Sequence, residues 1–404
     1  MRILVVADVY PPEVSSAANL MQELAQGLQH RGHSVTVVTA YPKHYLAEES
    51  KEKHFEEHSD EDGIEVIRVR ILPHHKVNFF IRGISQLTMP CFFFSKTKKY
   101  VKGAVDGAII YSPPLPLGLV AGMIKRHYGA RTVLSLQDIF PQNAIDLRIM
   151  KNPLIIRFFE YIERIVYRAA DRITFHSEGG RAFLIEKKHV PAEKIVTVPN
   201  WVDVASFGRT ERDISFRKEY GLEEKFIFLF AGIIGPAQGV EFIVEVAKRV
   251  VDMRDVVFLL VGEGMEKQKV ENLIKTYGLT NVVMKPLVAK DDYPALVGDV
   301  DVGLVCLSSK NKTPFIPGKF LGYLAAGKPT LAFLNKESDG FAMVRNAQCG
   351  YAIEARDADE AAALVRKLYA EKNSLKTMGE NGLRYAKEHF SQDACTAMLE
   401  KLLK

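Results

Sequence analysis

The sequence is poor in cysteine and has no long uninterrupted apolar run. It holds four cysteines in 404 residues, none in a Cys-x-x-Cys or Cys/His ligand pattern. Such spacing excludes a disulfide framework or a zinc module, and it predicts reduced thiols in a cytoplasmic protein. The longest apolar candidate, residues 105–124, contains Asp106 and three prolines. It therefore predicts a strand, a loop and a helix rather than a membrane span.

The sequence also lacks a strong charge of one sign, and no targeting segment is expected. Lysine and arginine number 54 against 49 aspartates and glutamates, a net charge of +5. This excess fits a phosphate-bearing substrate or an anionic membrane surface and proves neither. No nucleic-acid-binding module is recognisable, so no nucleic-acid partner is expected. Met1 leads directly into an apolar strand, and no signal peptide is expected.

What the sequence does contain is two series of alternating strands and helices. The hydrophobic share of 47% and the charged share of 25% are those of a globular protein, and 404 residues are enough for two cores. The predicted strands are residues 3–7, 35–39, 64–71, 108–111, 132–136, 172–176 and 195–198, then 226–231, 256–261, 282–285, 302–307 and 330–333. Alternation of this kind predicts an α/β fold with parallel sheets, whose ligands bind at the carboxyl ends of the strands.

Two connecting regions stand out between these elements. Residues 45–62 are polar and charged, and they predict an exposed loop. A hinge between the two series is predicted near residues 200–212.

The most informative stretch is residues 311–329, which follows an apolar strand. It predicts a loop, a short helix that begins near Gly318 and Lys319, and a stop at Gly327 and Pro329. The free N–H groups at the helix start and the lysine ammonium converge on one spot. That arrangement suits a phosphate group.

Four further segments give the sequence a family likeness. Residues 198–203, 230–239 and 259–264 resemble, in order and spacing, the family-4 glycosyltransferases, which are retaining enzymes of the GT-B fold. Residues 137–142 read Gln-Asp-Ile-Phe-Pro-Gln and resemble the Asp-Leu-Trp-Pro-Glu segment of one branch of that family. That branch builds bacterial surface polysaccharides and includes N-acetylfucosamine transferases. The resemblance covers nearly the whole chain.

The resemblance implies two Rossmann-like domains that face each other across a cleft. Residues 1–203 would form the acceptor side, residues 204–388 would bind the nucleotide sugar, and a helix in residues 389–404 would pack back on the first domain. It also implies metal-independent transfer of a hexosyl or N-acetylhexosaminyl group from a nucleotide-diphosphate sugar, without a cofactor. The acceptor would be lipid-linked or a glycan. In a front-face mechanism the departing phosphate oxygen helps to deprotonate the acceptor hydroxyl, so no protein nucleophile is required.

The resemblance assigns Gln137 and Asp138 to the catalytic centre. Asp138 is favoured as a polar group facing the transferred sugar over a helix-capping aspartate, and its role as a proton acceptor stays open. Ser15 and Ser16 stand where relatives usually carry two glycines, and with Ser112 they are placed on the acceptor side. The alternative for the serine pair is a capped helix start.

The resemblance also assigns a larger set of residues in the second half of the chain to donor binding. Its members are Gly235, Gln238, Gly262, Gly264, Leu287, Val288, Pro317, Gly318, Lys319 and Gly322. Leu287 and Val288 would flank the base through backbone contacts. A nicotinamide site at Gly262 and Gly264 is disfavoured because Lys267 occupies the position of the third glycine.

The chain departs from the family pattern at several of these positions. Ile233 and Gln238 align with an arginine and a lysine of relatives, and Pro236 aligns with an arginine frequent in the branch. Gly322 aligns with the glutamate that binds the ribose hydroxyls, and Pro314 with an earlier glutamate. Lys319 is then left to supply the cationic charge, with Lys310 and Lys312 better interpreted as surface residues. The alternative is a catalytically weakened transferase-like subunit that binds an active partner.

Two other patterns allow competing interpretations. Asp299 and Asp301 resemble an Asp-x-Asp metal motif, but they precede a buried strand on which alternate residues point to opposite faces, so no metal site is predicted. Residues 76–103 interleave aromatic and basic groups, among them Lys96, Lys98, Lys99 and Lys102. They predict either core helices broken at Pro90 with a solvated basic face, or a peripheral contact with the inner face of the cell membrane.

Overall fold

The computed structural model describes residues 1–13, 15–42, 46, 53–73, 79–208, 215–289 and 291–404. The chain divides into two compact units: unit 1 is residues 1–200 together with 392–404, and unit 2 is residues 201–391. Each unit is built on one mainly parallel sheet with helices on its faces, which confirms the predicted fold class. Residues 209–214 of the predicted hinge and Lys76 lie outside the described residues.

Unit 1 is organised around a sheet in which all neighbouring strands but one pair are parallel. Its strands are β1 (Arg2–Val6), β2 (Ser34–Ala40), β3 (His58–Glu61), β4 (Ile64–Val69), β5 (Gly107–Ser112), β6 (Arg131–Leu136), β7 (Arg172–Phe175) and β8 (Ile195–Thr197). Their spatial order is β3-β4-β2-β1-β5-β6-β7-β8, with β3 antiparallel to β4. The residues Ile3–Ala7 are fully buried, as expected for a parallel strand covered on both faces.

Three helices of unit 1 begin at a residue whose side chain caps the helix. The helices of this unit are α1 (Ser16–His30), α2 (Phe79–Tyr100), α3 (Val120–Tyr128), α4 (Gln142–Asp146), α5 (Pro153–Ala169) and α6 (Glu178–Glu186). Asn152 accepts a hydrogen bond from the Leu154 N–H, and Pro153 occupies the first helical position of α5. A proline is tolerated there because its missing N–H would have no intrahelical partner. These local signals fix the start of α5 next to the end of α4.

Unit 2 contains a fully parallel sheet. Its strands are β9 (Phe226–Ala231), β10 (Val256–Val261), β11 (Val282–Lys285), β12 (Val302–Cys306), β13 (Thr330–Leu334) and β14 (Gly350–Glu354), in the spatial order β11-β10-β9-β12-β13-β14. Its helices are α7 (Phe216–Glu219), α8 (Glu241–Arg249), α9 (Lys267–Tyr277), α10 (Tyr293–Gly298), α11 (Lys319–Ala325), α12 (Gly340–Ala347), α13 (Ala358–Ala370) and α14 (Lys372–His389). All residues of β9, β10, β12 and β13 are buried, which explains their continuous apolar sequences.

The last helix, α15 (Gln392–Leu402), belongs to unit 1 and packs on α1. The Arg31 guanidinium lies 2.7 Å from the Glu400 carboxylate and 2.9 Å from the Asp393 carboxylate. Leu403 fills the space above Gly107, where an added Cβ would lie 2.9 Å from a Leu403 methyl carbon. The two ends of the chain therefore contribute to one core.

Three details differ from the sequence predictions. Within the predicted loop 45–62, residues 58–61 form β3, which turns back to β4 at Asp62 and Gly63. Both turn residues have positive φ, the conformation for which Asp-Gly is favoured. Residues 43–45 and 47–52 lie outside the described part. The helix α2 continues through Pro90, and β14 was absent from the predicted strands.

Candidate active site

Both sheets have a point at which the strand order reverses. In unit 1 this point lies between β1 and β5, and in unit 2 it lies between β9 and β12. Loops that leave the carboxyl ends of such strands diverge to opposite faces, which opens a crevice used by ligands in α/β proteins. The candidate residues of unit 1 lie at or after the ends of β1, β5, β6 and β7. Those of unit 2 lie after β9, β10, β11 and β12.

Gln137 is held at the carboxyl end of β6 by both ends of its amide. Its Oε1 accepts a hydrogen bond from Asn200 Nδ2 at 2.7 Å, and its Nε2 donates to Ser135 Oγ at 3.2 Å. The Gln137 backbone N–H donates to the Ser112 carbonyl at 2.9 Å. Gln137 is thereby fixed in place and braces the segment that carries Asp138, and its assignment to the catalytic centre stays a prediction.

Asp138 has one engaged and one unengaged carboxyl oxygen. Its Oδ2 accepts a hydrogen bond from Asn143 Nδ2 at 3.2 Å. Its Oδ1 is buried and has no hydrogen-bond partner in the described part of the chain. The helix α4 has Pro141 at its N-cap and no side-chain cap, so the capping alternative for Asp138 is wrong. Burial raises the pKa of Asp138 to about 6, which places its titration near physiological pH.

Asp8 is a second carboxyl at this edge, and the sequence predictions did not include it. It follows β1, and burial together with the charge of Glu13 raises its pKa to about 7. Tyr111, in β5, is buried, and the charges of Asp8 and Asp138 both raise its pKa further. The charges of Asp8 and Asp138 therefore both affect the Tyr111 phenol, from strands on either side of the reversal point. An aspartate directly after the first strand was the available signal, but that position is common in helix caps.

His176 is a further polar residue that was missed, and it follows β7. Its ring is buried, stacks on Phe175 with centroids 4.6 Å apart, and has a hydrogen bond with the Gln137 backbone. Burial lowers its pKa to about 4, so the imidazole is neutral at physiological pH. The ring supports the Gln137–Asp138 segment without adding a charge.

The three predicted acceptor-side serines occupy different environments. The Ser15 Oγ accepts a hydrogen bond from the Ala18 N–H at 3.1 Å, so the helix-cap alternative holds for this residue. Ser16 is the first residue of α1 and is exposed. The Ser112 Oγ, at the end of β5, is buried and has no hydrogen-bond partner within the described residues. Ser112 is the serine that could donate to a ligand at this edge.

Lys319 is the first residue of α11, as the sequence predicts, and Gly327 follows that helix with a φ of +63°. Its Nζ lies 4.6 Å from the centroid of the Phe230 ring. A Cβ added at Gly232 would lie 2.7 Å from Nζ, so the lysine is seated against the loop after β9. Burial lowers the pKa of Lys319 to about 8. Within the described residues it forms no ion pair, which leaves a desolvated cation at the reversal point of unit 2.

The predicted glycines of unit 2 mainly allow two loops to touch. A Cβ added at Gly262 would lie 2.1 Å from the Gly232 carbonyl oxygen. A Cβ added at Gly264 would lie 2.2 Å from the Ile234 carbonyl oxygen. Backbone atoms cannot yield to such contacts, so these positions require glycine for loop packing. At Gly235 the nearest atom would be Gln238 Oε1 at 3.1 Å.

Gly322 has no space for the glutamate that relatives carry. An added Cβ would lie 2.6 Å from Tyr293 Oη and 3.0 Å from a carbon of the Tyr293 ring. That ring packs edge-to-face on Phe207, with centroids 6.0 Å apart. The glutamate that relatives carry at this position would therefore require Tyr293 to move. Tyr293 was not singled out from the sequence because it is distant in the chain.

The remaining donor-side residues lie at the surface or just below it. Leu287 is exposed and Val288 is half-buried after β11, while Pro317 is buried and Gly318 is exposed before α11. An added Cβ at Gly318 would meet nothing within 4 Å. The open space beside the start of α11 is compatible with a bound group. Lys310 and Lys312 are exposed, as predicted.

Asp299 and Asp301 have structural partners at the opposite edge of the sheet. The Asp301 carboxylate accepts hydrogen bonds from Arg217 and from the Ile227 N–H, each at 2.7 Å. Asp299 accepts one from the Arg217 N–H at 3.2 Å. Both lie before β12, away from Lys319. The described residues contain no group of three or more His, Cys, Asp or Glu side chains suited to a metal ion.

Comparison with known proteins identifies the class. Residues 17–201 match the family described as "Glycosyl transferase 4-like domain", and residues 212–385 match "Glycosyl transferases group 1". These matches account for most of the chain, which therefore belongs to the family-4 glycosyltransferases of the GT-B fold.

Individual relatives are more distant. The chain is 27% identical over 339 residues to WcaI of Escherichia coli K12, a glycosyl transferase assigned to colanic acid biosynthesis, covering 81% of this chain and 82% of WcaI. It is 26% identical to the glycosyltransferase WbjE of Pseudomonas aeruginosa, covering 66% of each.

Solved structures agree in fold. The sucrose-phosphate synthase of Thermosynechococcus elongatus has a TM-score of 0.77 and 15% identity, covering 100% of this chain and 98% of that protein. The Anabaena protein HepE, in complex with UDP-glucose, has a TM-score of 0.73 and 16% identity, covering 100% and 99%. In the described part of the present chain, no helix is long and apolar enough to cross a bilayer.

Proposed function

We propose that this glycosyltransferase moves a sugar, with retention of configuration, from a nucleotide-diphosphate donor to a glycan or lipid-linked acceptor. The product would belong to a surface polysaccharide or glycolipid. The observation that carries the proposal is Lys319, a desolvated cation without an ion-pair partner in the described residues, placed at the reversal point of unit 2. Support for the donor class comes from HepE, which binds UDP-glucose, and support for the product class from WcaI.

The proposed chemistry assigns opposite tasks to the two units. Lys319 would offset the charge that develops on the leaving diphosphate, and the N–H groups after Gly318 would add hydrogen bonds. In unit 1, the unengaged Asp138 Oδ1 and the Ser112 Oγ would bind hydroxyl groups of the sugar or the acceptor. The departing phosphate oxygen would accept the acceptor proton, so no catalytic metal is required. Either hexosyl or N-acetylhexosaminyl transfer is compatible with this arrangement.

The test is transfer by the purified chain with a panel of uridine, guanosine and thymidine diphosphate sugars. A polyprenyl diphosphate-linked sugar is supplied as acceptor, and the configuration of the new bond is read by NMR. We expect turnover that persists in a chelator and falls at least about tenfold in Lys319→Ala, because a charge-assisted contact is lost. Lys312→Ala, an exposed lysine from the same loop, is the matched control. Activity that only manganese restores, or an inverted product, would contradict the proposed mechanism.

A transferase-like subunit without turnover is the second candidate, and the Tyr293 position favours it. Tyr293 closes the space beside Gly322, and Ile233 is exposed where relatives carry an arginine. Nucleotide binding separates the two candidates without knowledge of the sugar. Absence of binding to uridine, guanosine and thymidine diphosphates, together with absence of transfer, would favour the subunit.

A further inference from the structure

The outward face of α5 carries large apolar side chains that no described residue covers. Leu154, Phe158 and Tyr161 are 75%, 44% and 56% exposed, and Ile149, just before the helix, is 59% exposed. The spacing of 154, 158 and 161 places these side chains on one side of the helix. The opposite side is buried in unit 1 through Phe159, Ile162 and Val166. A surface helix is usually polar on its outer side, so this stripe needs an explanation.

Cations are interleaved with these apolar groups. The exposed basic residues of this region are Arg148, Lys151, Arg157, Arg164 and Arg168. Among the described residues, none of these five forms an ion pair; Arg164 donates to the Glu160 carbonyl at 3.3 Å. Of the two acids on α5, Glu160 is half-buried, and Glu163 is buried and bound to Lys188 and Tyr167, each at 3.1 Å. These cations and the four apolar residues are called the α5 face below.

We propose that the α5 face docks on an anionic lipid bilayer. Apolar and aromatic side chains can enter the region between headgroups and acyl chains, while arginine side chains reach the lipid phosphates. A basic patch beside the apolar stripe adds attraction to anionic lipids. A second copy of the chain fits less well, because a two-fold contact would bring the same unpaired arginines together.

The α5 face is also connected by packing to the candidate site. The Phe158 and Phe159 rings have centroids 5.3 Å apart, and Phe159 packs edge-to-face on Phe140 at 5.1 Å. Phe140 lies two residues after Asp138. A docked helix would hold the carboxyl edge of the unit 1 sheet close to the bilayer, where a lipid-linked acceptor resides. Only this last step rests on the proposed function.

The basic cluster predicted from the sequence in α2 is less suited to this task. Glu57 lies 2.7 Å from Lys96 Nζ and 2.8 Å from Lys99 Nζ, so two lysines of the cluster share an acid that offsets one of their two charges. The Lys102 Nζ donates to the Lys98 carbonyl at 2.9 Å. The α5 face therefore replaces this cluster as the principal candidate for membrane contact.

The test is sedimentation of the full chain with vesicles, without donor or acceptor. Vesicles of phosphatidylcholine with phosphatidylglycerol are compared with vesicles of phosphatidylcholine alone, at low and high salt. We expect binding only to the anionic vesicles, and a partition coefficient at least about tenfold lower in Leu154→Ser/Phe158→Ser and in Arg157→Gln/Arg164→Gln. Two unrelated exposed pairs in unit 2 provide matched controls, Val251→Ser/Met265→Ser and Lys275→Gln/Lys387→Gln.

Three outcomes would overturn the inference. They are no binding to anionic vesicles, equal binding by wild type and the α5 variants, or a dimer that the α5 variants dissociate while vesicles bind nothing. Unchanged melting temperatures show that the variants are folded. Transfer to a water-soluble acceptor, measured without vesicles, separates the two proposals. A wild type that transfers sugar but does not bind anionic vesicles contradicts docking alone, whereas a wild type that binds vesicles without transfer leaves docking intact and contradicts the enzyme.

Discussion

The two units have the same architecture and opposite chemistry at equivalent places. At the reversal point of unit 1, burial raises the pKa of Asp8 and Asp138 to about 7 and about 6. At the reversal point of unit 2, burial lowers the pKa of Lys319 to about 8. The same backbone arrangement thus carries buried carboxyls in one unit and a cation in the other. Under the proposed function, the carboxyls would bind hydroxyl groups and the cation would bind phosphate groups.

The largest effect is expected from a side chain that obstructs the contact between the two loops of unit 2. Gly262→Ala places a methyl group against the Gly232 carbonyl, so the loops must separate. We expect a loss of about 1–3 kcal/mol in the free energy of unfolding, and loss of nucleotide diphosphate binding. Gly298→Ala is the control, because its Cβ would meet nothing within 4 Å. Equal unfolding curves for the two variants would show that loop contact does not support the site.

Removal of the cation should affect phosphate recognition alone. For Lys319→Ala we expect nucleotide diphosphate binding to weaken by about 1.5–3 kcal/mol, while nucleoside binding stays the same. Calorimetry measures both affinities. In the wild type the affinity should also decline as pH rises through about 8, because Lys319 loses the proton that makes it a cation. An affinity that is flat across that pH range, or equal in Lys319→Ala, would remove Lys319 from the site.

The carboxyls of unit 1 should make stability depend on pH in a defined direction. The pKa of Asp8 is raised in the folded state, so the folded chain keeps a proton that the unfolded chain loses. Stability should therefore fall as pH rises from about 4 to about 7. Asp8→Asn removes this contribution. Its free energy of unfolding should exceed that of the wild type by on the order of 2 kcal/mol at about pH 8, with little difference at about pH 4. Urea unfolding measures the difference, with the exposed Asp291→Asn as control. A gain independent of pH would contradict the assignment.

The smallest effect concerns the space beside Gly322. Gly322→Glu alone should lower the melting temperature, because Tyr293 must move. In the Tyr293→Ala background the glutamate has room, and nucleotide binding should tighten by several-fold relative to Tyr293→Ala alone. Equal nucleotide affinities in Tyr293→Ala and in Tyr293→Ala/Gly322→Glu would mean that position 322 does not reach the ribose.

Much of the fold of unit 2 could be predicted, because strands buried on both faces have continuously apolar sequences. The predicted strands 226–231, 256–261 and 282–285 coincide with β9, β10 and β11, and the first two are continuously buried and apolar. β14 lacks such a continuous apolar sequence, since its residues are only half-buried. β3 was missed because His58–Glu61 is polar and is held by pairing with β4.

The candidate site was less predictable for the same reason. The position of Lys319 at the start of α11 could be predicted because its signal, a lysine at a helix start, is contained within a few residues. Asp8, Asp138 and Tyr111 come from strands that are far apart in sequence, and their juxtaposition depends on strand order. The obstruction of Gly322 by Tyr293 likewise depends on how α10 and α11 pack, which no local pattern reveals.

The return of α15 to unit 1 has a consequence for the order of events during synthesis. Arg31, which directly follows α1, forms an ion pair with Glu400, a partner 369 residues later in the chain. The whole of unit 2 is therefore translated before the last piece of unit 1 reaches α1. Until then the α1 surface and the space above Gly107 stay uncovered, so a ribosome that stalls late would leave unit 2 complete and unit 1 unfinished.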